Sequence, residues 1–263
     1  MTPDLVVPAW LSPAQQAALV DLVERNDHAH GDDLLGIVLT GSAGRGSTTE
    51  HSDLDVMVVL SDEAASSRTT DHGPDVDEIP VRWSDLLTVA PFGTEEWWMR
   101  WSFAWAPVLL DRTDGDLPEA VRRQATLTPE EADATLIDHD RLDGWVNFAY
   151  RALKSDRDGR VLESRLDANE SVPWLLDVVF SLAGRVRPYN KYLPWELRTH
   201  PVDGWLADEL LDLVTRTQAG DVAAIREAFT RVSAACAAYD EGRGHSRTTD
   251  MIDGWGPELD LFG

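Results

Sequence analysis

Two aspartates separated by one residue, Asp53-Leu54-Asp55, open an apolar run that ends at Leu60. In an extended strand, residues two apart project from the same face, roughly 6.6 Å apart along the chain. Two carboxylates so placed can together hold hard divalent cations, and a two-metal site wants its ions about 3.5–4 Å apart. Without cations, two like charges on a half-buried strand repel each other and cost several kcal/mol in desolvation. The rest of the run, Val56-Met57-Val58-Val59-Leu60, reads as buried. The pattern therefore calls for cations at Asp53 and Asp55.

Upstream, Gly41-Ser42 follows another apolar run, Asp33–Thr40, without an intervening residue. Glycine permits a positive φ or a close backbone approach, and the serine hydroxyl with the next amides can face a phosphate. Gly41, Gly44 and Gly46 spell G-x-x-G-x-G. That is neither the dinucleotide fingerprint nor a Walker loop, since no Gly-Lys-Ser/Thr follows. A third acid near these groups would come from Asp75, Asp77 or Glu78 in the strand-like segment Val76–Trp83. Pro80 pushes that segment toward a sheet edge.

Gly41-Ser42, then the ten residues AGRGSTTEHS, then Asp53-Leu54-Asp55, resembles the signature of the polymerase-β-like nucleotidyltransferases. Arg45-Gly46 and Ser52 also suit the way the intervening segment reads in that family. The resemblance is tightest over Leu34–Trp83 and looser beyond it. It implies ATP or another NTP as donor, Mg²⁺ as the metal, Gly41 and Ser42 on the phosphates, and Asp53 and Asp55 as metal ligands. It also implies a third carboxylate that completes the metal site or acts as general base. The family pattern favours Asp77 for that role, with Glu78 next.

The elements that would carry these groups are legible in outline. Ser12-Pro13 ahead of AQQAALVDLVER reads as a capped helix. Asp33–Thr40 and Leu54–Leu60 suit strands covered on both faces. Thr94–Trp105 reads as a helix with two glutamates in its first turn. On it Trp97, Trp101 and Trp105 form one core-facing stripe, and Trp98 lies off that stripe. APVLLDRTDG gives a further strand.

After a boundary in Gly115–Pro129 the strand signal vanishes. Helical spacing takes over in Glu131–Ser155, Val172–Leu182, Gly204–Thr217 and Val222–Tyr239. The expected class is α+β: an N-terminal nucleotidyltransferase domain at residues 1–120, with a small mixed sheet and flanking helices, then an all-α bundle at 121–240. Residues 241–263, rich in Gly, Asp and Thr, are expected as a poorly ordered or surface-draped tail. A ligand cleft is expected between the two halves.

The bundle supplies the cationic candidates. Arg185, Arg187, Tyr189 and Lys191 follow an apolar helix, and Lys191 is one of only two lysines, the other being Lys154. Small-molecule adenylyltransferases with a helical C-terminal domain use an Arg/Lys pair in a similar segment. Arg187 and Lys191 are therefore expected to contact the nucleotide. The looser resemblance is to aminoglycoside adenylyltransferases, with an antibiotic hydroxyl as acceptor.

The net charge of −24 fits a cationic small-molecule acceptor and argues against a nucleic-acid partner. Residues 1–112 carry 19 acids against 6 bases and the remainder 28 against 17, so both halves share the acidity. No run of 18 apolar residues exists and the N-terminus lacks the basic start of a leader, so no membrane partner is expected. A single cysteine, Cys236, makes the reducing cytoplasm the expected compartment. Two other readings fit the same motif: AMP transfer to a protein hydroxyl, as in antitoxin-type relatives, and a nucleotide-binding sensor without turnover. The chain length speaks against the first and the intact Asp53/Asp55 pair against the second.

Overall fold

A computed structural model describes residues 5–49 and 51–263. The chain start at residues 1–4, read above for a leader, and Glu50 lie outside the described residues. The chain forms two compact units, Met1–Thr126 and Leu127–Gly263. The boundary thus falls after residue 126, within the punctuated segment, and residues 241–263 belong to the second unit.

The first unit begins with α1 (Pro13–His30). Ser12 caps it in a capping box with Gln15, and Pro13 fills its first turn, where a missing N–H costs nothing. Strand β1 (Leu34–Leu39), the short helix α2 (Gly41–Gly44), β2 (Leu54–Leu60), α3 (Asp62–Ala65), β3 (Asp71–His72), β4 (Val76–Arg82) and α4 (Trp83–Leu87) follow. A 3₁₀ segment, Glu95–Phe103, then leads to β5 (Val108–Asp111) and α5 (Asp116–Ala125).

The sheet has the order β3-β4-β2-β1-β5. It is mixed: β2 and β4 are parallel, and β1 is antiparallel to both β2 and β5. The two-residue β3 covers β4 only at Asp77 and Glu78, which leaves Pro80 on an open stretch of that strand. Alternation sorts β2 between two cores. Leu54, Val56, Val58 and Leu60 pack with Leu19, Leu22 and Val23 of α1. Met57 and Val59 pack on the other face with Leu86, Phe103, Leu117 and Val121.

The second unit is helical: α6 (Pro129–Asp133), α7 (Arg141–Arg157), α8 (Val161–Leu182), α9 (Leu193–Thr199), α10 (Ala207–Gln218), α11 (Val222–Arg243) and α12 (Arg247–Asp253). Its core gathers Trp145, Phe180, Leu197, Leu213, Ile225, Val232 and Cys236. Helix α8 runs through Pro173 and starts well before the Val172 expected from the sequence, because proline reads as a first-turn residue when only local pattern is available. The expected tail is instead α12 plus a 3₁₀ segment, Gly256–Phe262, with Ile252 and Phe262 buried in the core. Phe262 stacks on Phe229 with ring centroids 4.1 Å apart. No described helix is long and apolar enough to cross a membrane. The architecture is the mixed α+β sheet with flanking helices and a following helical region that the sequence led us to expect.

Candidate active site

The end of β1 and the start of β2 are pinned together by one residue. Thr40 donates its amide to the Asp55 carbonyl at 2.8 Å and its hydroxyl to the same oxygen at 3.1 Å. The chain then turns at Gly41 with φ +59°, where a Cβ would lie 1.8 Å from Oδ2 of Asp55. No L-residue with a side chain fits there without displacing that carboxylate. Gly44 is equally constrained, since its Cβ would meet the Leu39 carbonyl at 2.3 Å. Ser42 and Ala43 between them are buried. The first amides of such a turn have no partner within the helix, which leaves them oriented to receive an anion.

The turn is braced from two sides. Trp10 donates its indole N–H to the Ala43 carbonyl at 2.9 Å. Arg45, buried, donates to the carbonyls of Gly41 (2.7 Å), Trp101 (3.1 Å), Ser102 (3.0 Å) and Ala104 (2.8 Å). Its guanidinium carbon lies 4.1 Å from the centre of the Trp101 ring. Sequence reasoning assigned Arg45 no task. The available signal was an arginine inside a glycine-rich loop in a half of the chain with few bases.

Asp55 is half-buried on β2, whereas Asp53 is exposed and lies one residue before the strand begins. The expectation of two carboxylates on a buried strand is corrected to one on the strand and one at its mouth. In the parallel β2/β4 pairing Asp55 is the register partner of Asp77. Register partners share a face, so Asp55 and Asp77 lie on the side of Met57, Val59 and Ile79. Glu78 faces the opposite side. It is buried there, accepting from Asn26 Nδ2 at 2.9 Å and Arg25 Nη2 at 2.8 Å on α1. The ion pair with Glu78 holds the Arg25 guanidinium above its usual range. Asp77 in turn contacts His72 of β3, Oδ2 to Nδ1, at 2.9 Å.

The donor set fits Mg²⁺ in the way that ion is usually held. Mg²⁺ takes hard oxygen ligands and is commonly bound by one or two carboxylates plus substrate phosphates, not by an all-protein cage. Among the described residues no group of three His, Cys, Asp or Glu side chains is gathered closely enough to hold a metal alone. Asp55, beside the Gly41 turn, and its register partner Asp77 are compatible with the first description.

The tryptophan segment departs from the expected α-helix. It is 3₁₀ over Glu95–Phe103, with three residues per turn, so Trp97, Arg100 and Phe103 align and are buried. Trp101 is buried under Arg45, while Trp98 and Trp105 are exposed. Trp105 therefore does not continue the stripe, and it adopts φ +61° just beyond the segment.

In the helical unit Arg187 donates to the Pro173 carbonyl at 3.0 Å and to Asn190 Oδ1 at 2.8 Å, and contacts Asp177 at 3.4 Å. Burial pushes the Asp177 carboxyl up despite Arg187 and Arg141 beside it. Arg185 is bound by Glu196 and the His200 carbonyl. Lys191 is exposed, with its ammonium 5.0 Å from the Tyr192 ring centre. Of the two cations expected at a nucleotide, Arg187 is thus engaged within its own unit and Lys191 projects from the surface.

Residues 21–102 match the family model described as "Nucleotidyltransferase domain". The matched span contains the Gly41 turn, Asp53, Asp55 and Asp77. A search of curated proteins returns no match. Among solved structures, a nucleotidyltransferase-like protein from Exiguobacterium sibiricum is similar at 14% identity over 95% of this chain and 90% of that one, with a TM-score of 0.39. Residues 21–102 are thus similar to a nucleotidyltransferase domain, a match that supports nucleotidyl transfer in general, and the Gly41 turn and the three carboxylates lie inside the matched span.

Proposed function

We propose that the protein is a Mg²⁺-dependent adenylyltransferase that moves AMP from ATP to a hydroxyl of a cationic small molecule, an aminoglycoside being the class that best fits. The observation that carries this reading is the arrangement around Asp55. Its carboxylate fills the space above Gly41, and Asp77 stands at the same register on the neighbouring strand.

Each residue then has a task. The Gly41–Ser42 amides receive the triphosphate. Asp53 and Asp55 would hold the divalent ions, whose chemistry is to offset phosphate charge as the α-phosphorus is attacked. Asp77 accepts the proton of the acceptor hydroxyl as its oxygen bonds to the α-phosphorus, and the bond from that phosphorus to pyrophosphate breaks in line. We assign Lys191 to the nucleotide because it is exposed, and Arg187 to holding the loop that bears it. The acceptor class rests on charge: a chain of net −24 concentrates a polycation and repels nucleic acid.

The test is incubation with Mg²⁺, each of the four NTPs, and a panel of aminoglycosides and lincosamides, with products read by mass spectrometry. A gain of one AMP on an aminoglycoside, with pyrophosphate released, is the expected result. No mass gain on any compound with any NTP sinks the reading.

A further inference from the structure

Arg45 stands out because one buried guanidinium joins two segments far apart in sequence. It folds back onto the carbonyl of Gly41, where a Cβ would lie 1.8 Å from the Asp55 carboxylate. It also gathers the carbonyls of Trp101, Ser102 and Ala104 and lies over the Trp101 ring. Withdrawing such a group from water is costly unless its hydrogen bonds are met, and a planar fork of donors meets several carbonyls where an ammonium cannot. Immediately beyond the last of those carbonyls the chain enters the left-handed region at Trp105, an exposed residue with φ +61°. Such a conformation is strained and persists only where its surroundings enforce it.

We propose that Arg45 is a positioning residue that makes the Gly41–Ser42 turn and the Trp101–Trp105 segment one mechanical unit, so that a triphosphate bound at the turn also orders the tryptophan segment. The inference rests on the nucleotidyl-transfer reading above. Arg45 reaches the chemistry through Gly41 and Asp55, and needs no contact with the nucleotide itself.

Hydrogen exchange and nucleotide affinity, measured together on the full chain, test this. In wild-type protein, Mg²⁺ with ATP, GTP, CTP or UTP should slow exchange in residues 41–47 and also in residues 101–106. In R45K and R45M, the affinity for the preferred NTP should fall at least tenfold, and any remaining protection should be confined to residues 41–47. Circular dichroism should show the fold retained. Wild-type-like affinity in R45K, or protection confined to the turn in wild type, overturns the role of Arg45 alone. If none of the four NTPs binds wild-type protein, the nucleotidyl-transfer reading falls and takes this one with it. The wild-type comparison decides the coupling whether or not the variants fold.

Discussion

The carboxylate of Asp55 occupies the space that a side chain at Gly41 would need: a Cβ there would lie 1.8 Å from Oδ2 and 2.8 Å from Cγ. The two residues are held in that contact by Thr40, whose amide and hydroxyl both reach the Asp55 carbonyl. Gly41→Ala should therefore move either the carboxylate or the turn. The positive φ adds strain of roughly 1–3 kcal/mol, visible as a lower melting temperature. A misplacement of about 1 Å at a reacting centre costs on the order of 100-fold, so nucleotidyl transfer should fall by at least that much. An alanine variant with the wild-type rate would show that the contact has no bearing on the chemistry.

Asp77 and Glu78 are neighbours in sequence but should behave as opposites. Asp77 shares its face with Asp55, whereas Glu78 is buried against Arg25 and Asn26. Asp77→Asn removes the group assigned to take the proton, and general bases contribute about 10²- to 10⁴-fold. The rate should drop within that range while the melting temperature changes little. Glu78→Gln weakens a buried charge-assisted pair and should cost about 1–3 kcal/mol of stability, leaving the rate close to wild type. Steady-state kinetics beside thermal melts on both variants separate the two roles, and a reversed pattern would exchange their assignments.

The contrast between these two acids also marks what could be read from sequence. Strands β1 and β2 were legible because Leu34–Leu39 and Leu54–Leu60 are short, mostly apolar runs bounded by turn residues, Asp55 being the one charge within them. The Gly-Ser and Asp-x-Asp pairs were legible because their spacing is fixed by one turn and one strand start. Placing Asp77 and Glu78 on opposite faces needed the β2/β4 register and a partner, Asn26, 52 residues away. No local pattern contains that information. The tryptophan segment misled because its stripe was counted at 3.6 residues per turn, whereas Glu95–Phe103 winds with three. Arg45 was visible only as a residue type, since its partners at 101, 102 and 104 belong to another segment.

Cys236 gives a probe of the helical unit. It is fully buried, and burial pushes its thiol up to about 12. The thiolate is the reactive form, so native protein at pH 7 should resist a thiol reagent such as iodoacetamide over hours. Full labelling should appear only after denaturant unfolds α11 and its neighbours. Intact-mass spectrometry reads the modification directly. Rapid labelling without denaturant would mean that this core opens far more readily than its packing implies.

The C-terminal residues supply the last prediction, because composition and structure disagree most there. Residues 241–263 look like a polar tail, yet several of their groups are embedded. Thr248 donates its hydroxyl to the Cys236 carbonyl at 3.2 Å, and Trp255 donates its indole N–H to Asp143 at 3.0 Å. Arg226 donates to the Leu261 carbonyl at 3.1 Å, and the Phe262 ring stacks on Phe229. Phe262 is only 5% exposed, so Phe262→Ala opens a cavity costing about 3 kcal/mol, at the low end for a phenylalanine since a chain end can relax. For a unit of this size that corresponds to a fall in melting temperature of roughly 10 °C. Truncation after Arg243 removes all of these contacts at once and should leave the helical unit unfolded or aggregated, with Cys236 labelled at once. A truncated chain that melts like the full-length protein would return the segment to the surface tail its composition suggests.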